Sequence, residues 1–199
     1  MRTTRTVLFC LALGLAPRPL HAQFLELFAK GSVSKNYFNA NSYIVSVTGA
    51  TGLAITLFQG IRLEGRYTNA TSLQNVMEIN AGAIQGSLND VLTQTAIYSL
   101  GIDFDLLGAR SEFQPFLYVG VGYVTTDRSY YFLETGNPPS TYLRDPSRTG
   151  ISGNLGVGFR LRIANAFAFE AEAFAYAVDI HKPNSLVNIF ASVGVRLFM

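Results

Sequence analysis

The chain has one cysteine, Cys10, and its position near the start excludes a good deal of chemistry. It lies in an apolar run, Val7 to Ala16, that follows Arg2 and Arg5 and leads to the small residue Ala22 before Gln23. A basic start, about ten apolar residues and a small residue at the cut together read as a cleavable secretory signal, residues 1–22. The stretch "TVLFC" lacks the small residue that precedes a lipidated cysteine. The mature chain, 23–199, is therefore expected to have neither a disulfide nor a thiol nucleophile.

Charge is scarce too. Only 14% of residues are charged while 13% are aromatic, where an ordinary soluble domain carries about a quarter charged residues. The formal charge of +2 includes Arg2, Arg5 and Arg18, whose removal leaves −1 and no basic cluster. A nucleic-acid partner has no electrostatic support in such a chain. Long hydrophobic runs are also missing: beyond the signal, nothing approaches the roughly eighteen apolar residues of a membrane helix. If a chain of this kind enters a bilayer, a closed β-barrel is the available form.

What is present is period-two patterning. Eight segments alternate in polarity, at about 24–35, 42–57, 61–70, 93–106, 113–126, 151–163, 167–179 and 186–199. Short links ("FQG", "LGARSE", "ANA") alternate with longer ones, the longest at 71–92 and 127–150. The link 71–92 is open to two readings, a loop or a hairpin that extends the third and fourth strands beyond the membrane. Within segments the two faces differ sharply. Ala96, Tyr98, Leu100, Ile102 and Phe104 oppose Thr95, Ser99, Gly101, Asp103 and Asp105; Leu155, Val157, Phe159 and Leu161 oppose Asn154, Gly156, Gly158, Arg160 and Arg162.

Across all segments the polar face carries Glu26, Lys30, Arg62, Glu64, Arg66, Asp103, Asp105, Arg160, Arg162, Glu170, Glu172 and Arg196, six acids and six bases gathered toward the short-link ends. Balanced charge at one end fits a packed interior layer, because an unpaired charge shut away from water costs several kcal/mol or so. The expected fold is then all-β: an eight-stranded antiparallel up-and-down transmembrane barrel, apolar outside, with a polar lumen filled by side chains.

Aromatics sort by rim in support. Tyr37, Phe38, Tyr43, Tyr67, Tyr123, Tyr130, Tyr131 and Tyr176 fall toward the long links, and Phe24, Phe58, Phe104, Phe113 and Phe167 toward the short ones, as two interfacial girdles would. Tyr98 and Tyr118 fall outside this sorting. In "FQPFLYVGVGYVTT" (113–126), Phe113, Pro115, Leu117, Val119, Val121 and Tyr123 are expected to face outward, and Gln114, Phe116, Tyr118, Gly120 and Gly122 inward. Gly120 and Gly122 are expected beside Gly156 and Gly158, making room for interior rings and arginines.

The stretches "QPFLYVGVGYV", "GNLGVGFRLRIANAFAFEAEAFAYAV" and "NIFASVGVRLFM" resemble the last four strands of small eight-stranded outer-membrane barrels of the OmpA/OmpX-like kind. The resemblance implies a location in the bacterial outer membrane. Lipid, lipopolysaccharide and the barrel-assembly machinery are the implied partners, and a monomer the expected state. Family chains end on an outward aromatic; here the register puts Met199, not Phe198, at the outward terminal position.

Catalytic constellations are few. His181 with Asp179 and Ser185 is the one grouping for acyl chemistry, and a solvated histidine on a link is the stronger reading. The paired acids Asp103/Asp105 and Glu170/Glu172 face too many bases to favour a cation, and no cofactor is expected. A lipid-modifying hydrolase or a narrow-pore transporter stands as the alternative. The long link offers Arg128, Tyr130, Tyr131, Tyr142, Arg144 and Arg148, aromatic and guanidinium chemistry for an extracellular protein, a glycan or lipopolysaccharide phosphates. A structural or surface-interaction role, not an enzymatic one, is the expectation.

Overall fold

A computed structural model describes residues 25–39, 42–81, 84–107, 111–134, 137–177 and 187–199. The expected signal at 1–22, Phe24, and the Asp179–His181–Ser185 grouping lie outside these described residues, as do the side chains of Tyr37 and Phe38. The strands are β1 (Leu25–Asn39), β2 (Ser42–Phe58), β3 (Ile61–Ala81), β4 (Ile84–Asp105), β5 (Phe113–Glu134), β6 (Asn137–Arg144), β7 (Arg148–Ala164), β8 (Phe167–Ala177) and β9 (Val187–Phe198).

All except β6 form a closed antiparallel barrel in chain order. β4 pairs with β5, β5 with β7, and β9 returns to β1 through Glu26↔Phe198 to Gly31↔Val193. Closure leaves no barrel strand with an unpaired edge over the shared height, which is what a sheet in lipid requires. Short turns sit on one rim: Gly60 at φ +81° follows β2, and its carbonyl accepts from the Asp105 amide at 2.8 Å. The chain ends meet there as well, the Met199 amide donating to the Leu25 carbonyl at 2.8 Å.

Side-chain parity puts the apolar residues outside. Leu100, Val121, Ile163 and Ile189 are 55–74% exposed, while Arg160, Arg196, Glu64 and Glu170 are fully buried. On β5 the outward apolar face runs from Phe113 to Tyr123. At about 3.3 Å per residue and a tilt near 40°, that belt is roughly 25 Å tall, the height of the apolar band on transmembrane barrels.

Three strands outrun the eight-segment pattern. β3 and β4 continue through 71–92 as a hairpin, and β5 extends to Glu134, where β6 folds back along it. A four-stranded sheet in the order β3-β4-β5-β6 thus rises above the long-link rim. It leaves the barrel at an irregularity in the β4–β5 register between Asn89 and Leu92. There Asp90 takes φ +51°, a left-handed conformation that aspartate tolerates better than most residues.

Candidate functional site

The interior is built in two layers. Near the short-turn rim, eleven of the twelve charged residues singled out above form one continuous ionic layer. Arg62 bonds Glu26 at 2.6 Å, Asp103 at 3.1 Å and Asp105 at 2.6 Å. Arg160 bonds Asp103 closely, Asp105 at 2.8 Å and Glu170 at 3.0 Å. Arg196 reaches Glu170 at 2.7 Å, Glu64 at 2.8 Å and Glu26 at 3.0 Å. Lys30 lies 2.6 Å from both Glu170 and Glu172. Arg66 on β3 grips Glu64 at 2.6 Å and crosses the lumen to Glu172 on the facing strand β8 at 3.0 Å. The twelfth residue, Arg162, sits at the edge of the layer with its guanidinium 4.5 Å from the Phe198 ring centroid.

Rings interleave with these charges. Arg160 lies 3.9 Å from the centre of Phe116, Arg196 4.8 Å from Phe28, and Arg66 4.3 Å from Tyr118 and 4.7 Å from Phe174. Such stacking suits guanidinium, whose flat faces are weakly hydrated while its edge donates to carboxylates. Glycines make the room, although not in the arrangement the sequence suggested. Gly120 and Gly122 stand opposite Asn154 and Ser152, whereas Gly156 and Gly158 stand opposite Tyr118 and Phe116. A Cβ on Gly158 would lie 2.8 Å from the Phe116 ring, and one on Gly101 2.7 Å from that of Tyr118.

Above the ionic layer the lumen turns apolar. Ile97, Tyr118, Val124, Phe174 and Tyr176 form a buried cluster against Phe190. Tyr176 is therefore not a girdle residue, contrary to the sequence expectation: it shares the inward face of β8 with Glu170, Glu172 and Phe174. Tyr98, which fitted no girdle, belongs to one. It is 58% exposed and paired in register with both Tyr67 and Tyr123, forming a row at the top of the belt. Its ring centroid is 4.9 Å from that of Tyr67. Beside the long-link rim, Lys35 lies over the Tyr43 ring at 4.4 Å. At the chain end Phe198 turns inward and Met199 outward, as the register predicted.

The six candidate binding residues of the long link divide between the two faces of the rising sheet. Tyr131 pairs with Tyr142 and Ser129 with Arg144, on the face continuous with outward Tyr123. Tyr130 is on the other face, with its hydroxyl donating to Asp145 at 3.1 Å and with Arg128 stacked 5.7 Å from its ring. Arg148 is exposed at the foot of β7, opposite Thr126. Tyr130 and Tyr131 are both above the belt and so are not interfacial anchors, because β5 continues for eleven residues past Tyr123, from Val124 to Glu134. On the outer face Arg144 donates to Asp127 at 3.2 Å, and the Ser147 hydroxyl donates to the same Asp127 oxygen in a short contact. Those two donors, Ser147 first, hold the Asp127 carboxyl below its ordinary pKa.

No family model and no curated protein matches the sequence. Among solved structures the chain is similar to the N-terminal β-barrel domain of Pseudomonas aeruginosa OprF, at 15% identity over 89% of this chain and 98% of that one, with a TM-score of 0.42. It is similar to Neisserial surface protein A at 17% identity over 89% and 98%, TM-score 0.42. A third is Ail, the attachment invasion locus protein of Yersinia pestis, in complex with the heparin analogue sucrose octasulfate, at 13% identity over 88% and 97%, TM-score 0.43. The likeness is one of architecture.

Among the described residues no group of three or more His, Cys, Asp or Glu is arranged to hold a metal ion. Each of the six interior acids touches at least one guanidinium or ammonium, so none is left as a ready base or ligand. What sequence reasoning missed was the upper lumen. Ile97, Val124 and Phe174 break the apolar-outside rule, and their shared parity with Ser99, Gly122 and Glu172 was the signal that would have placed them inside.

Proposed function

We propose that this chain is an integral barrel of the bacterial outer membrane, and that its working part is the sheet rising from the long-link rim. The carrying observation is that β3, β4 and β5 continue past the apolar belt and end in β6, a strand paired on one side only among the described residues. A protein whose only task was to fill a bilayer would gain nothing from strands of 21 or 22 residues where 9–11 or so suffice to cross. The extension presents backbone donors and acceptors at its edge, and it carries exposed tyrosines and arginine on its face. These are the features of a surface that meets another molecule.

The interior supports the same reading. Among the described residues, side chains cross it from wall to wall at Arg66–Glu172, which favours an interior that holds the barrel together over one that carries a wide aqueous path. The hydrolase alternative rests on Asp179, His181 and Ser185, outside the described residues. Fractionation with heated and unheated gel samples tests the location: heat-modifiable migration of protein from the outer-membrane fraction is expected, and recovery as a soluble, unshifted band overturns it. For the role, cells displaying the full chain should adhere to immobilised host-type proteins or glycans. A chain with 75–90 and 129–144 each replaced by a tight turn should stay heat-modifiable and lose adhesion. Equal adhesion by the two chains refutes the assignment.

A further inference from the structure

The outer face of the rising sheet carries two large aromatic residues that neither lipid nor core accounts for. Tyr131 and Tyr142 are directly opposite one another on β5 and β6, 44% and 58% exposed, with ring centroids 5.4 Å apart and planes inclined at 59°. They stand eight residues beyond Tyr123, about 20 Å above the belt at barrel tilt, too high to anchor in the interface. Next to them on the same face, Arg144 is 64% exposed, yet held by Asp127, which Ser147 also binds.

We infer that Tyr131, Tyr142, Arg144 and Asp127 form a binding platform for a pyranose ring. A sugar ring has one face of C–H groups that packs on an aromatic ring and an edge of neighbouring hydroxyls that both donate and accept. The inclined tyrosines supply the apolar seat, rigid at low entropic cost. The Arg144–Asp127 pair supplies planar donors and acceptors side by side and nearly cancels its own charge, which selects polar neutral groups over a bare anion. Orientation points the same way: this face continues the outward face of β5, so in the proposed outer membrane it would look sideways toward the saccharide headgroups of a glycolipid leaflet. The inference rests on the proposed surface role and names its ligand chemistry, and the ring comes either from that glycolipid or from a glycan outside the cell.

The chain has no tryptophan, so Tyr142→Trp gives a single indole, excited selectively over the tyrosines at the long-wavelength edge of its absorption, that preserves the stacking surface. Detergent-solubilised full-length Tyr142→Trp barrel is titrated with cellohexaose and, separately, with core oligosaccharide cleaved from lipopolysaccharide. Sorbitol serves as a polyol without a ring. A saturable emission change with at least one oligosaccharide and none with sorbitol is expected. Adding Tyr131→Ala should weaken it about tenfold, near 1.4 kcal/mol, and adding Arg144→Gln should weaken it less. Response to core oligosaccharide alone assigns the glycolipid source, and response to cellohexaose a foreign glycan; both support the platform. An unmoved emission, an equal response to sorbitol, or no loss with Tyr131→Ala overturns it. Because binding is read in detergent on protein checked for heat-modifiable migration, a negative titration leaves the membrane assignment standing, and a soluble protein would fail the migration check first.

Discussion

Replacing Glu170 by glutamine removes one negative charge from the centre of the ionic layer. Glu170 is fully buried and accepts from Lys30 at 2.6 Å, Arg196 at 2.7 Å and Arg160 at 3.0 Å, on strands β1, β9 and β7. Breaking a buried ionic cluster from one side costs about 3–5 kcal/mol. Here each of the three cations keeps another acid: Lys30 keeps Glu172, Arg160 keeps Asp103 and Asp105, and Arg196 keeps Glu26 and Glu64. The loss therefore belongs at the lower end, about 3 kcal/mol, or about 1.5 M in the urea midpoint for a slope near 2 kcal/mol per M. The comparison is Arg144→Gln, which breaks an exposed pair and costs at most about 1 kcal/mol. Unfolding of vesicle-inserted protein, followed by circular dichroism and gel migration, reads both midpoints. Adding Arg160→Met to Glu170→Gln restores charge balance, so the double variant should lose less than the two single losses combined. Midpoints for Glu170→Gln and Arg144→Gln within about 0.3 M of each other would refute the reasoning, since a solvated Glu170 would behave in that way.

Gly158→Ala should lower stability by about 1–3 kcal/mol, because its Cβ would strike the Ala171 backbone carbonyl and the Phe116 ring; Gly49→Ala, with open space around its Cβ, should leave the melting temperature unmoved. Val119→Arg, near the middle of the outer belt and 47% exposed, should cost about 2–4 kcal/mol in vesicle folding titrations. Gln94→Arg, above the girdle, should cost almost nothing, and equal costs would mean the exterior does not meet lipid. Planar-bilayer recordings of the unaltered chain should stay at leak level, while Arg66→Ala with Glu172→Ala, which removes the bridge across the lumen, should raise conductance; identical traces would show that this bridge does not close the interior.

The extent of the barrel was legible because parity is a local property: one residue's shift would turn Leu100 inward and Asp103 outward, so alternation fixes which face each side chain takes. Six acids and six bases on the polar face likewise announced a layer that must pair internally. Sequence could not say that Arg66 spans to Glu172, or that Arg162 sits at the rim over Phe198. Such partners, on strands that are not consecutive in the chain, are chosen by closure and shear, which exist only once β9 meets β1. Tyr176 and Tyr98 show the same limit, since their levels in the barrel depend on the register of neighbouring strands.

By itself, the sequence determined the number of barrel strands, the inverted faces and the charge content of the interior, all consequences of period two and of the cost of isolated charge. Only the tertiary structure decided where β3, β4 and β5 stop. Beyond Tyr123 the polarity no longer alternates against lipid, so composition alone is equally consistent with loop or strand. The pairing of β6 back onto β5 turns that stretch into a sheet. That pairing is also what sets Tyr142 beside Tyr131, eleven residues apart in the chain, and so creates an outward aromatic site that the belt does not explain.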